Sequence, residues 1–307
     1  MPHKSKVVRD PLDAMHIPFK PGHERDIPAR KMYKTPIHLL PVLKRILTEL
    51  INAGFIRPSN SPYCSPAMLV CKPHQEGVPA ELLKYRLVVD HRDINALTIP
   101  QHNRIPNITT IYSQLGDARV LSLLDLSKAF HQFSNSDDDG PPGYTSVNKT
   151  AFSTEFGHFE FVGCVMGCTN TPSYFQNQVE TRLRKSGLVD VGMLRLTSEG
   201  TVYEQRGNPC VSPYIDDLIV YTKHPIDPTV KRRFTPKVDL GGLGDISPYI
   251  DQHFEDLYDV FKCLSDNQLY IEADKCHICC RYVTALGAIL GNGVVAMDPA
   301  KIKAIDD

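Results

Sequence analysis

Two adjacent aspartates, Asp216 and Asp217, interrupt an otherwise largely apolar stretch that runs from Val211 to Tyr221. Neighbouring side chains of a flat strand point to opposite faces of a sheet, so a continuous buried strand has no place for both acids. Two carboxylates side by side in a low-dielectric site would also repel each other. At a tight hairpin turn, in contrast, both can converge on one cation. The pattern therefore predicts two strands joined by a turn at the aspartates.

A third acid, Asp125, ends the short apolar run that starts at Val120, and the length of this run predicts a buried strand. A buried aspartate alone is costly and demands a partner, typically a cation. Together with Asp216 and Asp217 it would form a cage of hard oxygen ligands, which suits Mg²⁺. Two such ions, about 3.5–4 Å apart, clamp the attacking and leaving oxygens in phosphoryl transfer. The alternative is an ordinary acidic hairpin turn, which the pair taken alone would favour.

The remaining pattern alternates strands and helices without regular βαβ spacing, which predicts an α+β fold. A first helix is predicted to open at Thr35-Pro36, and Pro41 either kinks it or marks its true start. Paired strands are predicted over 67–71 and 85–90, followed by a helix over 128–131 capped by Ser127 and a helix opening at Thr171-Pro172. The last predicted helix is amphipathic and carries Phe254, Leu257, Tyr258, Phe261 and Leu264. The acidic run 137–139 is predicted to be a solvated loop and residues 223–248 an inserted loop, whereas residues 186–210 show no pattern that assigns them to an element.

Composition restricts the function only weakly. The 307 residues are 42% hydrophobic and 22% charged, as in ordinary globular proteins, and no apolar run reaches membrane-spanning length. A net charge of −1 speaks against a surface that binds polyanions all over, but it allows a locally basic channel.

Nine cysteines, an odd number, favour free thiols in a reducing compartment. Residues 276–280 resemble half a zinc site but lack a second ligand pair, so inert thiols are the preferred interpretation.

Several short segments stand in a fixed order along the chain. They are residues 54–70 (GFIRPSNSPYCSPAMLV), 85–95 (YRLVVDHRDIN), 124–132 (LDLSKAFHQ), 149–152 (KTAF), 167–176 (GCTNTPSYFQ), 214–217 (YIDD), 274–276 (DKC) and 286–287 (LG). In this order they resemble the reverse transcriptases of gypsy-type LTR retroelements, and more distantly those of retroviruses. Each segment alone is a weak signal, whereas their shared order over roughly residues 17 to 305 is specific.

The resemblance implies a right-hand polymerase with fingers and palm, an antiparallel palm sheet with packed helices, and a truncated thumb. It assigns residues 1–34 to an extended N-terminal arm, 35–118 with 132–164 to the fingers, 119–131 with 165–290 to the palm, and 291–307 to the start of the connection to the thumb. The implied activity is that of an RNA-directed DNA polymerase from a retrotransposon Pol polyprotein. Such an enzyme adds deoxynucleotides to a primer 3′ end by phosphoryl transfer with two metal ions.

The catalytic positions of this family fall on the three aspartates. By resemblance, Asp125, Asp216 and Asp217 hold two Mg²⁺ ions, for which Mn²⁺ can substitute. The backbone carbonyl of Leu126 would assist as a further metal ligand.

Four other positions take nucleotide-binding roles by resemblance. Arg86 would contact the triphosphate of the incoming nucleotide, because a guanidinium suits bidentate phosphate binding, and Lys72 is a second, looser candidate. Phe130 would stand under the sugar and exclude a 2′-hydroxyl sterically. Met166 occupies the position before Gly167 that lines the nucleotide pocket, where the family usually has phenylalanine. The alternatives are a surface strand residue for Arg86 and a plain core residue for Phe130.

The resemblance also implies partners and a location. The partners are an RNA or DNA template with its primer and dNTPs, while the RNase H and integrase domains of a Pol polyprotein are absent from this chain. No membrane is involved, and a cytoplasmic retroelement particle follows by family analogy only. The long stretches 132–149, 176–214 and 223–253 are either tolerated loops or marks of a decaying element copy or of a gene model that reads through non-coding sequence. The altered pocket at Val165-Met166 and the truncated thumb motivate an alternative. In that alternative the chain is an inactive or degenerate remnant that keeps the fold and at most binds nucleic acid.

Overall fold

The computed structural model describes residues 14–28, 32–72, 77, 83–101, 105–189, 209–227, 229 and 246–298. Much of the segments 186–210 and 223–248 therefore lies outside the described residues. The strands are β1 (Ile56–Pro58), β2 (Ser65–Cys71), β3 (Tyr85–Val89), β4 (Val120–Asp125), β5 (Phe152–Thr154), β6 (Gly157–Phe161), β7 (Val211–Tyr214), β8 (Asp217–Thr222), β9 (His277–Cys280), β10 (Val283–Ala285), β11 (Ala288–Gly291) and β12 (Val294–Met297). The α-helices are α1 (Leu40–Asn52), α2 (Arg92–Leu97), α3 (Ile108–Leu115), α4 (Ser146–Lys149), α5 (Thr171–Lys185) and α6 (Ser247–Asp266). The chain divides into two compact units, Met1–Asn103 with Lys128–Phe175 and Arg104–Ser127 with Gln176–Asp307.

The first unit is built on a five-stranded sheet with the order β1-β6-β5-β2-β3. β2 and β3 pair antiparallel from Ala67 opposite Val89 to Cys71 opposite Tyr85, which confirms the predicted pair of strands. β2 also pairs parallel with β5, whereas β5 with β6 and β6 with β1 are antiparallel. β3 therefore forms one edge of this sheet.

Helix α1 follows a 3-10 turn, Ile37–Leu39, whose N-cap is Pro36. Pro41 lies in the first turn of α1. A proline is tolerated there, because the N–H that it lacks would have no partner within the helix. Of the two predicted roles for Pro41, the start of the α-helix is therefore the observed one. The buried residues Leu43 and Leu47 fix the face of the helix that packs inward.

Residues 14–20 of the predicted N-terminal arm pack into the first unit. The Met15 N–H donates to the Ser134 carbonyl (2.9 Å), and the Met15 carbonyl accepts from the Ser136 N–H (2.8 Å). Ile17 and Phe19 are buried as well. This part of the arm thus belongs to the core of the first unit, while residues 1–13 lie outside the described residues.

The second unit contains a four-stranded sheet, β7-β8-β4-β9, and a three-stranded sheet, β10-β11-β12. All pairings in both sheets are antiparallel. The strand predicted to end at Asp125 and the hairpin predicted at the paired aspartates are both confirmed. Leu115 of α3, Leu121 and Ile219 of the larger sheet and Leu290 of the smaller one share a single hydrophobic core.

The predicted helix capped by Ser127 is wrong. The chain forms a 3-10 turn instead, Ala129–Gln132, which follows Lys128 with its left-handed φ of 48°. The Ser127 N–H donates to the Tyr270 carbonyl (2.9 Å), and its hydroxyl donates to Glu272 (3.0 Å). Ser127 is therefore bonded to the segment that precedes β9, and the left-handed backbone of Lys128 does not fit the first turn of an α-helix.

The acidic run 137–139 lies in a loop, as predicted, but its carboxylates are not simply solvated. Asp137 pairs with Arg57 at 2.9 Å. Asp139 accepts from the Ser146 N–H at 2.8 Å. These acids tie the loop to the rest of the first unit.

The predicted amphipathic helix near residue 254 is confirmed as α6, but its buried face is not the predicted one. Leu257 and Leu264 are buried, whereas the aromatic residues are 39–41% exposed: Phe254, Tyr258 and Phe261. The buried face carries a polar group of side chains instead: Asp251, His253, Glu255 and Asp256. Among the helices of the described residues, neither α6 nor any other is long and apolar enough to cross a membrane.

Candidate active site

The second unit brings the three predicted aspartates to one end of its four-stranded sheet. Asp125 is the last residue of β4 and lies directly opposite Asp217, the first residue of β8. Tyr214 closes the β7–β8 hairpin opposite Asp217, so Ile215 and Asp216 form its two-residue turn. Two carboxylate-bearing strand ends therefore lie side by side, with the third carboxylate in the adjoining turn.

A buried glutamine of α5 holds this turn. Gln176 Nε2 donates to the Pro213 carbonyl (2.9 Å), and its Oε1 accepts from the Ile215 N–H (2.6 Å). The side chain is fully buried, so loss of either bond would leave a buried backbone group without a partner. Gln176 belongs to a recognised segment, but its role was not predicted. The available signal was a polar residue beside Phe175 and Val179, on the buried side of the helix.

The end of β4 is fixed on both sides. The Leu126 N–H donates to the Asp216 carbonyl (3.3 Å), and the Asp125 carbonyl accepts from the Glu272 N–H (2.8 Å). The backbone that carries Asp125 is therefore held between the hairpin and the segment before β9. The predicted use of the Leu126 carbonyl as a metal ligand stays a prediction.

Burial and the neighbouring carboxylates disfavour the charged form of Asp217. Burial raises the pKa of Asp217 to about 6, and the negative charges of Asp216 and Asp125 act in the same direction. Lys275 opposes this shift, with its Nζ 3.1 Å from Asp125 Oδ1. Lys275 thus acts on Asp125 and Asp217, while Asp216 adds a further negative charge at this end of the sheet.

The donor set fits a hard divalent cation in ligand type and in charge, because carboxylate oxygens are the ligands that Mg²⁺ prefers. The described residues nevertheless contain no group of three or more His, Cys, Asp or Glu side chains arranged to hold a metal ion. Lys275 supplies the positive charge at Asp125 instead. The predicted ligands are therefore brought to the same sheet end without forming a closed cage.

Two of the predicted nucleotide-binding residues lie on the β2–β3 ladder of the first unit. Arg86 is exposed on β3 and pairs with Val70. The Lys72 N–H donates to the Lys84 carbonyl (2.9 Å), which extends the ladder by one pair. Since side chains alternate along a strand and directly opposite residues share a face, Arg86, Lys72 and Lys84 lie on one face. Lys84 was not predicted, although its spacing of two from Arg86 indicated it.

The other two predicted residues also belong to the first unit. Phe130 is almost completely buried and packs edge-on against Phe175, with ring centroids 5.1 Å apart. Met166 is 59% exposed, next to Gly167, whose φ of 95° few other residues adopt. Asn95 accepts from a neighbouring backbone N–H and donates to the Gly167 carbonyl (2.7 Å), which fixes this turn. The roles of Phe130 and Met166 stay predictions.

An acid-ended central strand beside an acid-bearing hairpin, on an antiparallel sheet covered by helices, is typical of the palm of a nucleic-acid polymerase. The sequence profile of one such family, reverse transcriptase (RNA-dependent DNA polymerase), matches residues 74–290. The chain belongs to the reverse transcriptase family.

Pol polyproteins of Drosophila melanogaster transposons are similar to this chain. The retrovirus-related Pol polyprotein from transposon opus is 31% identical over 277 residues, which cover 90% of this chain and 22% of that protein. The one from transposon gypsy is 28% identical over 279 residues, again covering 90% of this chain and 22% of the relative. The likeness to gypsy-type retroelement enzymes is thereby confirmed, and the chain spans 22% of the length of each of these relatives.

A solved structure of the foamy viral protease-reverse transcriptase in complex with double-stranded DNA has a similar fold. The TM-score is 0.65 at 18% sequence identity, and the match covers 95% of this chain and 41% of the other. At this identity the likeness concerns the fold alone. It confirms the predicted fold class, the α+β fold of a right-hand polymerase.

Proposed function

We propose that this chain is the polymerase core of an RNA-directed DNA polymerase, which adds deoxynucleotides to a primer 3′ end on an RNA or DNA template. The observation that carries the proposal is the pairing of Asp125 with Asp217 beside the turn residue Asp216, in a chain of the reverse transcriptase family. Phosphoryl transfer needs positioning and charge stabilisation far more than acid–base chemistry from side chains. Crowded carboxylates that a divalent cation can neutralise meet that need.

Asp125, Asp216 and Asp217, with the carbonyl of Leu126, would hold two Mg²⁺ ions, and Mn²⁺ could replace them. Bound there, the ions would supply activation of the primer 3′-hydroxyl and charge stabilisation of the pyrophosphate leaving group. The chain itself holds the ligands in place through the β4–β8 ladder and the Gln176 side chain. It also sets the charge, since Asp217 is fully available as a carboxylate only above its raised pKa of about 6.

The basic face of the β2–β3 ladder would bind the triphosphate of the incoming dNTP. Arg86 offers a bidentate guanidinium, and Lys72 and Lys84 add positive charge on the same face. Phe130 would exclude a 2′-hydroxyl by filling its space, and Met166 would line the pocket.

Within a complete Pol polyprotein, we assign residues 35–118 with 132–164 to the fingers and residues 119–131 with 165–290 to the palm. RNase H and integrase domains would be partners outside this chain. A cytoplasmic retroelement particle is the proposed location.

Primer extension on an RNA template with dNTPs and Mg²⁺ tests the proposal. The wild type should extend the primer, and the double variant Asp216→Asn, Asp217→Asn should not. Asp117→Asn, at an exposed acid of the same unit, is the matched control and should extend like the wild type. Equal incorporation by the wild type and the double variant would overturn the proposal.

A second candidate is a module that keeps the fold and binds nucleic acid without catalysis. The observation in its favour is Met166, which stands exposed where the family usually has an aromatic residue. This candidate predicts template–primer binding that weakens steeply with salt and no nucleotide addition. Nucleotide addition by the wild type would reject it.

A further inference from the structure

A histidine of α6 lies buried between two strands that carry the catalytic carboxylates. His253 is 0% exposed. Its Nε2 lies 2.7 Å from the Ser122 hydroxyl of β4, and its Nδ1 lies 2.9 Å from the Thr222 hydroxyl of β8. One side chain thus bridges the two central strands of the sheet.

The neighbouring hydrogen bonds determine which group donates and which accepts in each bond of this bridge. The Thr222 hydroxyl donates its only hydrogen to Asp256 Oδ2 (2.6 Å), so its oxygen accepts from His253 Nδ1–H. Burial lowers the pKa of His253 to about 4, so the ring is neutral and its Nε2 accepts from the Ser122 hydroxyl. The other oxygen of Asp256 accepts from Gln252 (2.8 Å). Each polar side-chain group of the bridge therefore has a partner and a single direction.

The network also reaches the outer strand β9. β4 and β9 shift register between Leu121 and Leu123, so Ser122 lies at a β-bulge. The Cys279 N–H donates to Ser122 Oγ at 2.9 Å. A bulge disturbs the ladder locally, and here a side-chain oxygen accepts the bond from the displaced strand. Four elements, β9, β4, α6 and β8, are thus joined by one continuous set of hydrogen bonds.

We propose that the Ser122–His253–Thr222–Asp256 network is a positioning device for the catalytic carboxylates. Ser122 stands three residues before Asp125 on β4, and Thr222 stands five residues after Asp217 on β8. The inference rests on the polymerase function proposed above. A register shift of β4 against β8 would separate Asp125 from Asp217 and turn side chains to the opposite face. Apolar side chains could fill the same space, whereas directional bonds add a preference for one register.

Two measurements on the whole chain test the proposal. The first is independent of activity: in ¹⁵N NMR, His253 should carry its proton on Nδ1 at neutral pH, and a cross-strand NOE should join Asp125 to Asp217. In Thr222→Val, which removes the hydroxyl but keeps the shape, the NOE should weaken. In Thr222→Ser, which keeps the hydroxyl, it should persist.

The second measurement is steady-state primer extension. Thr222→Val should lower kcat about 10²-fold, the loss expected for a misplacement of about 1 Å, with the KM for the dNTP unchanged. Thr222→Ser should restore kcat. Thr98→Val, the same change at a buried hydroxyl of the first unit that bonds the Ile94 carbonyl, should keep kcat.

The outcomes separate the two claims. An inactive wild type that shows the expected tautomer and register would overturn the polymerase function and leave the network standing as a register device. A proton on Nε2, or an unchanged NOE in Thr222→Val, would overturn the network. An equal fall of kcat in Thr222→Val and Thr98→Val would show a general loss of stability and would overturn the positioning role.

Discussion

Two sets of three aspartates in this molecule have opposite surroundings. In the loop 137–139, every carboxylate accepts from a donor of its own unit. The pairs are Asp137 with Arg57 at 2.9 Å, Asp138 with the Ser136 hydroxyl at 2.8 Å, and Asp139 with the Ser146 N–H at 2.8 Å. These acids act as acceptors that hold a loop in place.

At the end of the four-stranded sheet, the described residues offer these acids fewer donors. Asp125 pairs with Lys275, but the carboxylates of Asp216 and Asp217 accept no hydrogen bond from the described residues. The negative charges of Asp216 and Asp125 instead help burial to raise the pKa of Asp217. A run of acids therefore says little by itself, whereas the supply of donors separates a set of acids that holds a loop from a set whose negative charge is left largely uncompensated by the described residues.

The largest expected difference between the two sets is in activity. Asp217→Asn should lower primer extension by about 10²–10³-fold, the range for loss of one electrostatic contact to a transition state. Asp138→Asn should leave it unchanged, because this acid only orders a loop. Single-nucleotide incorporation at saturating dNTP measures both rates. Similar losses in the two variants would erase the distinction.

No described residue donates to the carboxylates of the two hairpin acids, so other bonds must hold the backbone that carries them. Gln176→Leu should lower the free energy of unfolding by about 2–4 kcal/mol, because each buried backbone group left without a partner costs about 1–3 kcal/mol. Gln178→Leu, at a partly exposed position of the same helix, should change it by less than about 1 kcal/mol. Urea unfolding measures both. Equal effects would show that the Gln176 bonds contribute little.

The two sets should also differ in the pH dependence of stability. The folded-state pKa of Asp217 is raised from 3.8 to about 6, so the folded protein binds this proton more readily than the unfolded chain. Its ionised form opposes folding above about pH 6, and stability should recover as the pH falls through 6. With a chelator present, the free energy of unfolding of the wild type, relative to that of Asp217→Asn, should therefore increase as the pH is lowered from 7 to 5.

Asp256 also has its pKa raised to about 6, and its contribution has the same sign. Comparison with Asp217→Asn cancels that contribution, since both proteins retain Asp256. Asp138→Asn serves as the control from the loop and should follow the wild type. If the free energies of unfolding of the wild type and Asp217→Asn changed in parallel with pH, the raised pKa of Asp217 would be contradicted.

The smallest effect is expected at the lysine. Lys275 is 63% exposed, and an exposed ion pair contributes about 0–1 kcal/mol. Lys275→Met should therefore lower the free energy of unfolding by less than about 1 kcal/mol, as measured by urea unfolding. A loss well above that figure would mean that the pair with Asp125 is a structural bridge like those of the loop.

The sequence was sufficient wherever one local pattern decided the structure. The apolar run of β4, the interrupted run of β7 and β8, and the start of α5 at Thr171-Pro172 all depend on neighbouring residues, and all were predicted. The meeting of the three aspartates at one end of the sheet could be predicted as well, because strand ends and a tight turn fix where their backbones lie.

The sequence was insufficient where the partner is remote. Ser127 does not cap a helix but donates its hydroxyl and N–H hydrogens to Glu272 and Tyr270, more than 140 residues away. α6 turns its aromatic side outward because His253 finds a partner in Ser122, 131 residues before it. Apolar periodicity cannot report such bonds, since a satisfied buried polar residue looks like a surface residue in the sequence.

The turn that presents Asp216 opposes the preference of its own residue. Ile215 has a φ of 52°, in the left-handed region, where hairpin turns favour glycine and an ordinary residue is destabilised by about 1–2 kcal/mol. The surrounding protein, through Gln176, selects the conformation that the local sequence disfavours. In the language of energy landscapes the turn is a locally frustrated element. Grafting residues 214–217 onto another sheet would therefore transfer the carboxylates without the geometry that makes them a site.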